Sequence, residues 1–437
     1  MSDVGRPDPV TASDGPVADT RLLTFANLSR PIAFLDSWPV AEILLCLLRG
    51  WSLVTDRPAS GPPAITVRHE GGLYRVDCGW SEGARDLADP IDAACALIAE
   101  LIQALLAEQS RRLCLHSAAV EIDGWLVLFP SDYRAGKSTF VAALAARGAR
   151  IFSDDVLPLT GDRGFGIAPG LSPRLRRPLP NDVSTGLRAF LDRHRGPTSR
   201  RYRYLDLGPM HLAAFGEVAP IGAFVLLERE TGVEARLFET SAAEVLRRLV
   251  LRNFARALPA SVILARLHGL VEIVPRYRLR YERAEEGADL LLRAAKSWRG
   301  ESTDRSRAVS VPVAAPPPAA MPHYAAARIA ALPPGCFLRH PAVSETSVDQ
   351  EAFLTDPTGW SIHYLNPLGT ALWRLFAQPM SIADAAEILH AAFPERSRTQ
   401  LAKDVGQWVL QVRAQGFLLS GDDPVAPDDE MAQRRAG

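Results

Sequence analysis

The sequence predicts a two-part protein: a mixed α/β (α+β) phosphate-loop domain followed by a small winged-helix-like β3α3 domain. Three observations carry that expectation. A strand, a loop ending in glycine and a helix run through residues 125–147; a Pro/Ala-rich break occupies 301–325; and three short strands precede three amphipathic helices in 335–419. A chain of 437 residues has room for two or three cores at about 150 residues each.

Composition narrows the function before any motif is considered. Hydrophobic residues at 47% and charged residues at 23% are ordinary for a globular protein and argue against a disordered or fibrous chain. Lys and Arg number 49 against 50 Asp and Glu, a formal charge of -1, so no bulk basic field exists to hold nucleic acid or an anionic membrane. Phosphate chemistry must therefore come from a local site. The five cysteines are widely spaced and form no C-x-x-C pair, which excludes a disulfide framework and fits a reducing cytoplasm. Residues 1–20 carry Asp and Pro where a signal peptide needs an apolar run. The apolar stretch 43–48 is far shorter than the roughly 20 residues of a membrane span, so a cytoplasmic chain with no membrane partner is expected.

The ends, 1–20 and 421–437, are rich in Asp, Pro, Gly and Ala and read as disordered tails. Residues 21–110 form an N-terminal α+β region with helical spacing over 90–109, and 111–300 form the phosphate-loop domain. The break at 301–325, with consecutive prolines at 316–318, reads as a linker, and 326–420 as the C-terminal domain.

The phosphate loop is legible residue by residue. After the strand at 125–129 (WLVLF) come Ser131, Asp132, Tyr133, Arg134, Ala135, Gly136, Lys137, Ser138 and Thr139, the pattern G-x-x-x-x-G-K-[ST] with Ser131 in place of its first glycine. Backbone N–H groups at the helix start can wrap phosphates, Lys137 can supply a point charge, and the Ser138 hydroxyl can hold magnesium. A short strand at 151–152 ends in Asp154 and Asp155, where one acid can serve a metal and the other accept a proton. The same Ser-Asp-Asp run also reads as a helix cap or turn. His116 stands one hairpin upstream, across a turn at 121–124, as a proton relay or as a structural histidine. Nine arginines against Asp182 and Asp192 crowd 174–203, suited to phosphate or an acidic peptide, or to a solvated loop. Alternation at Arg201, Tyr202, Arg203 and Tyr204 predicts an edge strand.

The order of histidine, phosphate loop and double aspartate over 116–155 resembles the catalytic core of the HPr kinase family, with its HPr kinase/PEP carboxykinase-like fold. It is most similar to the HPr-kinase-related group found beside peptide-modification genes. The resemblance spans about 33–295, with 174–177, 201–207, 215–220, 253–256 and 275–281 as lesser matches. It implies ATP and Mg²⁺ as cofactors, His116, Asp154 and Asp155 as catalytic residues, and Ser138 with Asp155 at the metal; which aspartate is the base stays open. No counterpart of the segment that engages HPr is present, so HPr itself is not the expected substrate. A homo-oligomer is implied by the kinase resemblance alone.

In the C-terminal domain, 335–340, 351–355 and 360–365 read as three strands. Asn366-Pro367, Ser381 and the stripe Leu401, Val405, Trp408, Val409, Val412 mark three helices, with Gly416 stopping the last. This order, with LNPLGTALW at the join, resembles the PqqD family of peptide-binding modules, the recognition elements for ribosomally made precursor peptides. The resemblance implies that a peptide adds to the third strand and leans on the third helix, through Trp360, Ile362, Tyr364, Leu401, Val405 and Trp408. A DNA-binding winged helix is disfavoured because the third helix offers only Lys403 and Arg413 against Asp404. The expected function is ATP- and Mg-dependent phosphorylation of a Ser or Thr hydroxyl of a precursor peptide or small carrier protein. The alternatives are a nucleotide-binding peptide adaptor without transfer, and a small-metabolite kinase.

Overall fold

In the computed structural model, residues 19–54, 61–80, 85–109, 112–130, 136–160, 164–254, 258–298, 329 and 331–423 are described. The expected linker 301–325, nearly all of both expected tails, and Ser131, Asp132, Tyr133, Arg134 and Ala135 of the loop lie outside the described residues.

The N-terminal layer is a sheet of β1 (Thr20–Leu23), β2 (Ile32–Leu35), β3 (Ile65–Glu70), β4 (Leu73–Cys78) and β5 (Arg85–Leu87) in that order, covered by α1 (Trp38–Leu47) and α2 (Pro90–Glu108). Only β2 and β3 run parallel, since α1 lies between them in the chain. The start of α2 is set by Asp89, whose carboxylate accepts from the Ile91 and Asp92 N–H groups, and by proline in the first turn. Among the described residues, α2 is also a helix long and apolar enough to cross a membrane, a property missed by weighing only residues 43–48. Here its Ala93, Ala94, Leu97, Leu101 and Leu105 side chains are buried in the N-terminal core.

The central sheet follows. A short pair, β6 (Cys114–Leu115) with β10 (Leu157–Pro158), flanks it. Its strands are β7 (Ala118–Ile122), β8 (Trp125–Phe129), β9 (Arg150–Ser153), β11 (Phe165–Ile167), β15 (Val218–Arg229), β16 (Arg236–Glu239) and β17 (Arg276–Tyr281). Their order is β16-β17-β15-β8-β7-β9, with β11 against the start of β15. The β7–β8 turn puts Asp123 at φ 56° and Gly124 at φ 85°, the paired left-handed residues of a tight hairpin whose twist matches its strands. β8 and β17 flank β15 in parallel, and both are continuous apolar or mixed runs with helices on each side. α3 (Lys137–Ala145) and α7 (Ala284–Ser297) share one core with this sheet; α5 (Ala242–Leu251) and α6 (Ala260–Ile273) share the other.

A small sheet, β12 (Arg174–Arg176), β13 (Arg195–Thr198) and β14 (Tyr202–Leu205), with α4 (Thr185–Arg193), holds the arginine-rich segment. β14 was expected at an edge but lies between β12 and β13. Its Tyr204 and Arg203 are buried, and Arg203 pairs with Asp192 at 2.9 Å, so part of the cationic run neutralises charge locally.

The C-terminal domain contains β18 (Cys336–Arg339), β19 (Ser344–Val348), β20 (Glu351–Thr355), β21 (Ile362–Leu365), α8 (Pro367–Leu375), β22 (Met380–Ser381), α9 (Ile382–Ala392), α10 (Arg398–Ala414) and β23 (Leu418–Ser420). Asn366, Ser381 and Ser397 cap the three helices through their side-chain oxygens. The strands at 335–340, 351–355 and 360–365 do not form one sheet. β18 pairs with β22 and β23, and the sheet β19-β20-β21 takes its outer strand from 344–348 (SETSV). That strand is too polar to show an apolar alternation, and its hairpin with β20, the Arg339 and Trp373 bonds to Glu345 and the buried Val348 hold it.

The domain rests on the α5–α6 face of the central sheet. Val348 and Phe353 are buried in the same apolar core as Leu246, Leu249 and Leu267. The Ala243 N–H donates to Asp349 Oδ2 at 2.9 Å, and the Ala260 N–H to the Gly359 carbonyl at 2.7 Å. The Arg247 guanidinium covers the Tyr364 ring at 5.2 Å. Truncating Phe353, which has 0% exposure, to alanine is expected to lower unfolding free energy by about 3–5 kcal/mol, measured by urea denaturation of the full chain.

Candidate active site

The chain enters α3 at Gly136, with φ 79°, a left-handed conformation that strains any residue bearing a Cβ. Lys137 is the first helical residue and is buried, with Ser138 and Thr139 beside it. These residues open onto a cavity of about 290 Å³, bounded also by His116, Asp154, Asp155, Arg174, Arg176 and Arg229. Four cationic side chains thus face two carboxylates around a helix N-terminus, a donor set suited to a polyanion.

The carboxylates stand where β9 ends. Ser153 fixes that end: its hydroxyl donates to the Val156 carbonyl at 2.8 Å and accepts from the Asp155 N–H at 3.2 Å. Asp154 Oδ2 accepts from the Arg174 N–H at 2.8 Å. The Arg174 guanidinium lies 3.7 Å from Asp155 Oδ2, stacks over the Tyr202 ring at 4.7 Å and reaches Cys95 Sγ. His116 Nδ1 is 3.1 Å from Asp155 Oδ1, and its ring meets Phe254 edge-on at 5.6 Å. Its backbone N–H donates to the Arg252 carbonyl at 2.6 Å, which ties β6 to the end of α5.

Burial, and then repulsion from Asp155, push the Asp154 carboxyl up to about 7. The His116 imidazole is held below its ordinary value by burial, against the pull of Asp155 and with help from Lys137, Arg252 and Arg174. Near neutral pH the wall therefore combines a neutral histidine with a carboxyl, Asp154, poised to take or release a proton.

The structure brings His116, Gly136, Lys137, Ser138, Thr139, Asp154 and Asp155 around one cavity. Sequence reasoning named the 174–177 cluster as a lesser match and as part of an arginine run suited to phosphate, an acidic peptide or a solvated loop, and it did not single out Arg229. Arg174 and Arg176 had a signal in the arginine run; Arg229 had none, because β15 carries it there from a distant part of the chain. Among the described residues no group of three or more His, Cys, Asp or Glu could hold a metal alone. Ser138 with a carboxylate matches magnesium's habit of taking one or two protein oxygens and completing its shell with phosphate and water.

A second cavity of about 230 Å³ adjoins the first across His116, Asp154, Asp155 and Arg174, and its far wall is α2. A third, a groove of about 780 Å³, lies between β21 and α10. β21 pairs only with β20, so its other edge is unpaired among the described strands. Leu401, Val405 and Trp408 line the groove, and Trp408 stacks on Phe376 at 5.8 Å. Tyr364 borders it too, but with Ile362 packs toward the α5–α6 core, and the alternate residues His363 and Leu365 also line the groove. Trp360 is 62% exposed in the β20–β21 turn, outside the groove lining.

Residues 351–418 match the family described as Coenzyme PQQ synthesis protein D (PqqD). Among solved structures, the HPr(Ser) kinase/phosphatase from Coxiella burnetii aligns with 12% identity and a TM-score of 0.22, over 43% of this chain and 97% of that one. No curated protein matches the chain.

The raised Asp154 carboxyl makes a stability prediction. The folded state binds this proton more tightly than the unfolded chain, so the group costs stability as pH rises from about 4 through about 7. Asp154→Asn keeps an oxygen for the Arg174 N–H and removes the charge. In magnesium-free buffer it is expected to be more stable than the parent at pH 8 by about 2 kcal/mol, half the full displacement at roughly 1.36 kcal/mol per pKa unit. The gain should vanish near pH 4, as read by denaturant titration at the two pH values.

Proposed function

We propose that this chain is an ATP- and Mg-dependent kinase of the HPr-kinase-related kind, phosphorylating a Ser or Thr hydroxyl of a precursor peptide or small carrier protein. One observation carries the reading: the buried Lys137 and the Asp154–Asp155 pair face each other across a cation-lined cavity at the start of α3. In the proposed reaction Lys137, Arg174, Arg176 and the α3 N-terminus bind and orient the triphosphate. Ser138 and Asp155 would hold magnesium, which would supply positive charge to offset that of the phosphates. The acceptor oxygen forms its bond to the γ-phosphorus as the bond to the β–γ bridging oxygen breaks. ADP leaves, and the hydroxyl proton passes to the carboxylate pair, whose orientation His116 maintains through Asp155.

The peptide enters this reading through the C-terminal domain. An extended segment adding to the free edge of β21 would gain main-chain hydrogen bonds, while Leu365, Leu401, Val405 and Trp408 offer apolar pockets for alternate side chains. Because β20 and β21 rest on α5 and α6, the groove is held close to the kinase body, and a bound peptide's acceptor is at high effective concentration.

Lys137→Ala is expected to cut transfer of labelled γ-phosphate to the peptide at least about a hundredfold, as losing one preorganised charge on a reacting group does. The peptide's Kd should stay unchanged. Val405→Glu should do the reverse, raising the peptide's Kd and KM with kcat for saturating peptide kept. Mg-ATP binding with no transfer to any offered peptide would leave the chain an adaptor and overturn the kinase.

A further inference from the structure

The cavity under α2 has no part in the reaction as written above. It shares His116, Asp154, Asp155 and Arg174 with the phosphate cavity, so a hydroxyl reaching those carboxylates from the α2 side faces the phosphates across them. Among the described residues, the lining away from that wall is Ile98, Ala99, Ile102, Val156, Leu171 and Phe254, with only neutral polar groups between them. The charged groups among the described residues that border it are the carboxylates and Arg174, which engage one another. A charged side chain placed deeper would exchange water for a lining in which the described residues offer no spare counter-charge. The volume, about 230 Å³, is below the roughly 300–1,000 Å³ of pockets that take drug-sized ligands, room for one residue-sized group and not for a nucleoside.

We propose that this cavity is the acceptor subsite, selecting an uncharged apolar residue next to the hydroxyl that is phosphorylated. The inference rests on the kinase reading for its chemistry, and on the cavity alone for its selectivity. The helices that carry the C-terminal domain support it. Phe254, just after α5, borders the cavity, and α6 bonds the C-terminal domain at its first residue, Ala260.

The test offers the full chain short N-acetyl, C-amide peptides with serine next to Leu, Phe, Lys or Glu. Binding is read by saturation-transfer NMR and transfer by labelled ATP with Mg²⁺. Two variants fill the cavity independently, Ala99→Phe at an exposed position of α2 and Ile98→Trp. The Leu and Phe peptides are expected to bind the parent, and their kcat/KM should exceed that of the Lys and Glu peptides by about tenfold or more, the scale on which apolar pockets discriminate. Both filling variants should remove that preference and the binding. Binding lost on filling but no transfer from the parent would keep the subsite and overturn the kinase. Transfer indifferent to the neighbouring residue and to both variants would keep the kinase and overturn the subsite. Neither binding nor transfer would overturn both.

Discussion

Two adjacent carboxylates in a half-buried site repel one another, and the arrangement around β9 meets that constraint with surrounding cations and with one acid pushed toward its neutral form. Arg174 meets most of it: its backbone N–H holds Asp154, its guanidinium faces Asp155, and Tyr202 and Cys95 keep the guanidinium in place. Lys137, Arg176 and Arg229 complete the ring. The shared wall exists because this balance keeps the pair in one place, with one acid driven toward neutrality and the other bonded to His116.

That wall divides two unlike spaces. On one side lies a cation-lined cavity at a helix N-terminus, on the other an apolar one under α2. The N-terminal layer thereby gains a reason beyond its own core. The stripe of α2 that is not buried in the sheet faces Cys95, Ile98 and Ala99 toward the carboxylates. The C-terminal domain lies on the opposite core of the central sheet, against α5 and α6, and Phe254, just after α5, meets His116. Groove and carboxylates are therefore linked through the packing of α5 and α6.

Much of this was legible in the sequence. The strand at 125–129 and the helix at 137–145, the turn at Asp123-Gly124, the double aspartate, and the helices capped by Asn366 and Ser381 all rest on contacts between near neighbours in the chain. Where pairing was distant, the reading slipped. The polar strand β19 has no apolar signal, the reading of three strands left the pairing of β18 with β22 and β23 unspecified, and β14, expected at an edge, is bonded by two strands.

Local chemistry was written in the order of residues: which side chains can bind phosphate, which acids follow a strand, where helices begin. Spacing along the chain is enough for these, because caps, turns and helix termini are built within a few residues. Tertiary structure alone decided which cations reach the acids, that Ile362 and Tyr364 turn to the α5–α6 core while Leu365 turns to the groove, and that α2 walls a cavity instead of only covering a sheet. Those outcomes depend on strand register and on surfaces meeting across more than a hundred residues. A one-residue slip in register reverses every facing, and which surfaces then meet is settled only when distant elements pack.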